Sequence, residues 1–157
     1  MTAPLLACRS VDHLAYTVPD LEAAVAFFRD ILGAEELYRS SGPDSAGAAT
    51  FGARFNTHPD AAYRLAKLSL CGRAFELFEY QAPDLRREQP RNCDAGGCHF
   101  GVVVDDVDAA AELLRTQPGV RVLGSPSEIP SSHPMLGGRR WVYFLTPWGL
   151  QIELVSR

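Results

Sequence analysis

The stretch HFGVVVDDVDAAAELLRTQPGV, residues 99–120, matches HLAYTVPDLEAAVAFFRDILGA, residues 13–34, position for position and without a gap. His13 falls on His99, Val18 on Val104, Asp20 on Asp106, Ala23 and Ala24 on Ala109 and Ala110, Arg29 on Arg115, and Gly33 on Gly119. Most of these identities have an obvious structural use. Each Asp can accept a hydrogen bond from a free first-turn amide of a helix. Leu21, Ala24, Val25, Phe28 and Leu32 recur at helical spacing, as do Val107, Ala110, Ala111 and Leu114, and they are assigned to the core. Gly33 and Gly119 read as stops. Residues 99–104 read as a buried strand, where a lone histidine is ordinarily a core residue. A histidine repeated at one place in two copies is different.

Each copy goes on as strands. EELYR (35–39), YRLAKLSL (63–70) and AFELFEY (74–80) follow the first helix, and VRVLG (120–124), RRWVYFL (139–145) and LQIELVS (150–156) follow the second. The order β-α-β-β-β, used twice, gives an α+β fold of tandem βαβββ modules related by a pseudo-two-fold axis. The expected result is a curved mixed sheet, helices on one side, around a cleft for a metal ion. The domain is expected to be single, residues 1–157, with module one at about 9–80, a polar linker at 81–92 and module two at about 96–156. The first copy is longer, and residues 42–60 are expected to hold the excess with a short helix.

Alternation along the last strand of each copy turns Glu76, Phe78 and Tyr80 away from Phe75, Leu77 and Glu79, and turns Glu153 away from Ile152 and Leu154. One histidine and one glutamate per copy thus face away from the helices. His13, Glu76, His99 and Glu153 form a ligand set suited to one divalent ion, Zn, Ni, Co or Mn before Fe. Cys8, Cys71, Cys93 and Cys98 show no framework spacing and are read as free thiols rather than as a zinc knuckle with His99.

On these residues, together with the closing P-x-G-x-x-x-E of Pro147 to Glu153, the chain resembles the vicinal oxygen chelate superfamily, which includes glyoxalase I, methylmalonyl-CoA epimerase, extradiol dioxygenases and fosfomycin-resistance proteins. The resemblance implies that His13, Glu76, His99 and Glu153 ligate the metal and that Tyr143, ten residues before the final glutamate, faces the cleft as a catalytic residue. Thr17 stands where glyoxalase I has an arginine for glutathione. Asp84 stands where the dioxygenases have a base histidine. The first puts glutathione in doubt, and the second, with the extra ligand Glu76, fits the isomerase and lyase branch better than the dioxygenases. The expected activity is a metal-dependent isomerase or epimerase, with Glu76 and Glu153 moving protons next to a chelated carbonyl of a small oxygenated metabolite. Alternatives, in order, are a glyoxalase I-type lyase, an extradiol dioxygenase and a non-enzymatic binder of the bleomycin-resistance type.

His133, in the connection before the Tyr143 strand, and Arg140 are further candidates for binding substrate. The net charge of −4 argues against nucleic acid as a partner. No apolar run approaches the roughly 20 residues of a membrane span, and no secretion signal is evident at the start. A cytoplasmic homodimer acting on a small molecule is the expectation.

Overall fold

The computed structural model describes residues 5–6, 8–43 and 48–157. The chain divides into two compact units, Met1–Arg86 and Arg87–Arg157. Residues 44–47 of the segment expected to carry the extra helix lie outside the described residues.

In the first unit, β1 (Leu14–Thr17) leads into α1 (Leu21–Leu32), then β2 (Glu35–Gly42), α2 (Ala48–Phe55), β3 (Ala62–Leu70) and β4 (Arg73–Gln81). The strands lie in the order β1-β4-β3-β2. The first strand runs parallel to the last, and every other pairing is antiparallel. Asp20 caps α1 by accepting from the Ala23 amide at 3.0 Å, and Gly33 ends it in the left-handed region at φ 74°. Glycine reaches that conformation without a Cβ clash. The helix lays Leu21, Ala24, Val25 and Phe28 on the sheet. Phe28, fully buried, meets Phe75 of β4 at 4.8 Å between ring centres. Burial of that one side chain stabilises the unit by roughly 2–3 kcal/mol.

The second unit repeats the plan with β5 (His99–Val103), α3 (Val107–Arg115), β6 (Arg121–Glu128), β7 (Arg140–Leu145) and β8 (Gln151–Val155), in the order β5-β8-β7-β6. Asp106 caps α3 through the Ala109 amide at 2.9 Å. Val107, Ala111 and Leu114 pack on Val142, Phe144, Ile152 and Leu154.

The strands make two four-stranded mixed sheets, one per unit, as expected of paired βαβββ modules. Two details differ from the sequence reading. β5 is an edge strand rather than a buried one, and His99 is exposed together with Val103. And α3 stops at Arg115 with Thr116 as its cap, short of Gly119. Pro118 explains the early end, because a residue preceding proline is pushed out of the helical region.

The faces opposite α1 and α3 are unlike. In the first, Phe51 and Phe55 of α2 stack on Tyr63 of β3, with centroids 5.5 and 5.8 Å away, so the extra helix covers one end of that face. In the second unit, Trp141, Tyr143 and Glu153 stand on the corresponding face half-buried, with no described helix over them.

Candidate metal centre

Because β1 lies against β4, residues far apart in sequence become neighbours. Ala15 pairs with Glu76, and Gly101 of β5 pairs with Glu153 of β8. Side chains alternate, so His13 and His99, each two residues earlier, share the face of their unit's glutamate. In the first unit the pair is formed: His13 Nε2 lies 3.4 Å from Glu76 Oε2. Glu76 is buried at 8% exposure, whereas His13 is open to solvent.

The Nδ1 atoms carry the more telling contacts. His13 Nδ1 meets Asp12 Oδ2 at 2.7 Å, and His99 Nδ1 meets Asn92 Oδ1 at 2.9 Å. An oxygen acceptor on Nδ1 fixes the tautomer and leaves the Nε2 lone pair for a ligand, which is the usual outer support of a metal-bound imidazole. The second unit provides that support by a turn: Arg91 grips the Asp94 carboxylate, Gly97 donates to the Asp94 carbonyl, and Asn92 is carried to His99. A Cβ at Gly97 would come within 2.0 Å of the Arg91 carbonyl, so the turn admits only glycine there. Among the described residues, no three His, Cys, Asp or Glu side chains converge within metal-ligating reach of one another. What each unit holds is one oriented imidazole and one carboxylate on a common face, a donor chemistry that fits a divalent ion.

The third strand of each sheet adds one more side chain to the row. Lys67 pairs with Glu76, and Tyr143 pairs with Glu153. Tyr143 also packs edge-on against His99, with centroids 5.1 Å apart. Burial, and then the Glu153 charge, raise its hydroxyl above the ordinary phenol value, so it stays protonated as a donor. Lys67 escaped the sequence reading. Cys71 and Gly72 both take positive φ in the two-residue turn between β3 and β4, and the register set by that turn brings Lys67 opposite Glu76. Asp12 and Asn92 were missed as well.

The remaining candidates lie elsewhere. Arg140 turns to the helix side and holds Asp108 through Nε and Nη2 at 2.6 and 2.7 Å. Arg64, at the same place in the first unit, reaches Glu22 and Glu79. The repeat thus marks both arginines as clamps between sheet and helix, and the site is built here without Arg140. We expect Arg140→Met to lower Tm by roughly a few degrees at most, as for other exposed ion pairs, and to leave turnover unchanged. A loss of turnover at full stability would return Arg140 to the site. His133 uses Nδ1 to accept from the Met135 and Leu136 amides at 3.3 and 3.1 Å, so it braces its own loop. Glu79 accepts from the Leu21 amide at 2.7 Å, on the helix side as expected. All four cysteines are free thiols.

The family model described as Glyoxalase/Bleomycin resistance protein/Dioxygenase superfamily matches residues 10–154. The chain belongs to that superfamily. Its sequence is 51% identical over 148 residues to a 2-epi-5-epi-valiolone epimerase from Actinomyces sp., covering 94% of this chain and 79% of that one. It is 31% identical over 138 residues to an ethylmalonyl-CoA/methylmalonyl-CoA epimerase from Cereibacter sphaeroides, covering 87% of each. Among solved members of the superfamily, a glutamate-to-glutamine mutant of the fosfomycin resistance protein FosX from Listeria monocytogenes, complexed with Mn(II) and a dihydroxypropylphosphonic acid, has a TM-score of 0.56 at 21% identity, covering 94% of this chain and 91% of that one. Two relatives of this superfamily chain are thus named as epimerases, which supports an epimerase-like function.

Proposed function

We propose that the protein is a metal-dependent epimerase that inverts a carbon next to a carbonyl of a small oxygenated ketone. The observation that carries this reading is the matched His–Glu pair of each unit, with both imidazoles held by Nδ1. His13 and Glu76 of the first unit, and His99 and Glu153 of the second, would serve as the ligands of a divalent ion. When bound, such an ion supplies Lewis acidity toward the oxygens of the substrate.

The chain's own residues supply the rest. One of the carboxylates Glu76 and Glu153 takes the proton from the carbon beside the carbonyl, and the other returns one on the opposite face. Tyr143, protonated and beside Glu153, donates a hydrogen bond to the oxygen on which charge accumulates. The 51% identical epimerase favours its own named ketone over a coenzyme A thioester as substrate class. A homodimer is the assembly proposed.

The test incubates the protein, loaded with Mn(II), Co(II), Ni(II) or Zn(II), with 2-epi-5-epi-valiolone in D₂O and follows it by NMR. Deuterium entering at the carbon next to the carbonyl, together with appearance of the epimer, is the expected result. Neither exchange nor epimer with any of these ions would overturn the assignment, and oxygen uptake with a catechol would point to ring cleavage instead.

A further inference from the structure

The two oxygens of Glu76 face different neighbours. Oε2 lies toward His13 Nε2, whereas Oε1 lies 3.5 Å from both the Lys67 ammonium and the Tyr38 hydroxyl. Lys67 also reaches Asp12 Oδ2 at 3.4 Å, the same oxygen that holds His13 Nδ1. Asp12, His13, Glu76 and Lys67 therefore close a ring of side chains around one edge of the sheet. Strand register brings this about: Ala15, Glu76, Lys67 and Tyr38 stand in one row across β1, β4, β3 and β2. The second unit has the same row with Tyr143 in the place of Lys67; Tyr143 packs directly on the histidine of its own unit, whereas Lys67 is linked to His13 through Asp12.

We infer that Lys67 is a positioning residue for the metal centre. It tethers Glu76 through Oε1, so that the carboxylate meets an ion through Oε2 alone, and through Asp12 it steadies the His13 ring. At 3.5 Å the ammonium and the carboxylate oxygen form an ion pair, which favours the Glu76 rotamer that keeps Oε1 turned toward Lys67. The side chain of Lys67 is 17% exposed and that of Glu76 10%, so solvent competes little for either. Two effects of the lysine on metal affinity oppose each other. Its charge repels a dication, and its tether orders a ligand. Affinity alone therefore does not decide the question, but the coordination of the bound ion does.

The inference rests on the proposed metal site, and the experiment separates the two. Wild-type protein, Lys67→Met, Lys67→Gln and Lys67→Arg are each loaded with Co(II), and the visible d–d spectrum is recorded with circular dichroism as a check on folding. In Lys67→Met the freed carboxylate turns to offer both oxygens, so the d–d bands weaken and shift; Lys67→Gln supplies the same comparison if the methionine variant does not fold. Lys67→Arg, which keeps a cationic donor, restores the wild-type spectrum. A wild-type protein that takes up no Co(II) overturns the metal reading and this inference with it. A wild type that binds Co(II), with an unchanged spectrum in Lys67→Met and Lys67→Gln, overturns the role of Lys67 alone. So does an arginine variant as altered as the methionine one, since packing rather than charge would then matter at this position.

Discussion

Replacing Glu76 or Glu153 by glutamine is expected to lower turnover roughly 100-fold or more while the protein still takes up its ion. Glutamine keeps the shape of the side chain and one oxygen able to reach a metal, but it cannot carry a proton. Both residues stand on the face of their sheets opposite α1 or α3, beside the first strand and its histidine. The measurement is steady-state epimerisation beside elemental analysis of the loaded variants. Each variant retains the shape of the site, so lost turnover with retained metal isolates proton transfer from binding. Glu79→Gln is the comparison. That carboxylate accepts from the Leu21 amide and from Arg64, so its loss weakens the start of α1 and leaves the chemistry in place. Should Glu79→Gln be inactive and Glu76→Gln active, the face assignment of β4 would be wrong.

Replacing either histidine by alanine should remove stoichiometric metal binding altogether. His13 and His99 are both solvent-exposed in their units, so neither substitution disturbs a core and the fold should survive, as circular dichroism would show. The outcome also tests whether one ion is shared. If both pairs serve the same ion, His13→Ala alone and His99→Ala alone each lower uptake below one ion per chain, because each removes one of the two imidazole donors from a set of four. If each variant keeps half the metal of the wild type, the pairs are separate sites. Full occupancy in both would remove the histidines from the centre.

The repeat made much of this legible. A cap at Asp20 and Asp106, an apolar stripe behind it and a strand before it are local features, written in adjacent residues, and all of them stand in the structure. The facing of Glu76 and Glu153 followed from the two-residue period of a strand. What stayed hidden depended on pairing between strands or on loops. Lys67 acquires meaning only once β3 is in register with β4, and Asn92 only once the Arg91–Gly97 turn folds it back on His99. Arg140, beside the candidate loop in sequence, is one residue out of phase with Trp141 and Tyr143, which puts it under α3 with Asp108. Val102 to Val104 suggested burial by composition, but composition does not tell a central strand from an edge.

Ala15 and Gly101 occupy twin positions, each beside the glutamate of its unit, and they differ by one methyl group. A Cβ at Gly101 would approach Glu153 Oε2 to 3.3 Å, closer than an atom there comfortably sits, whereas Ala15, paired with Glu76, carries that methyl. One carboxylate has elbow room and the other is hemmed in. In an epimerase of the kind proposed, the roomy side chain can swing off and return sooner than the crowded one, so the two halves of the inversion keep different time. Starting from one epimer, solvent hydrogen would enter faster than from the other. A molecule built from two copies of one module would then have acquired a tempo in each direction, to which a single missing methyl contributes beside the Lys67 tether.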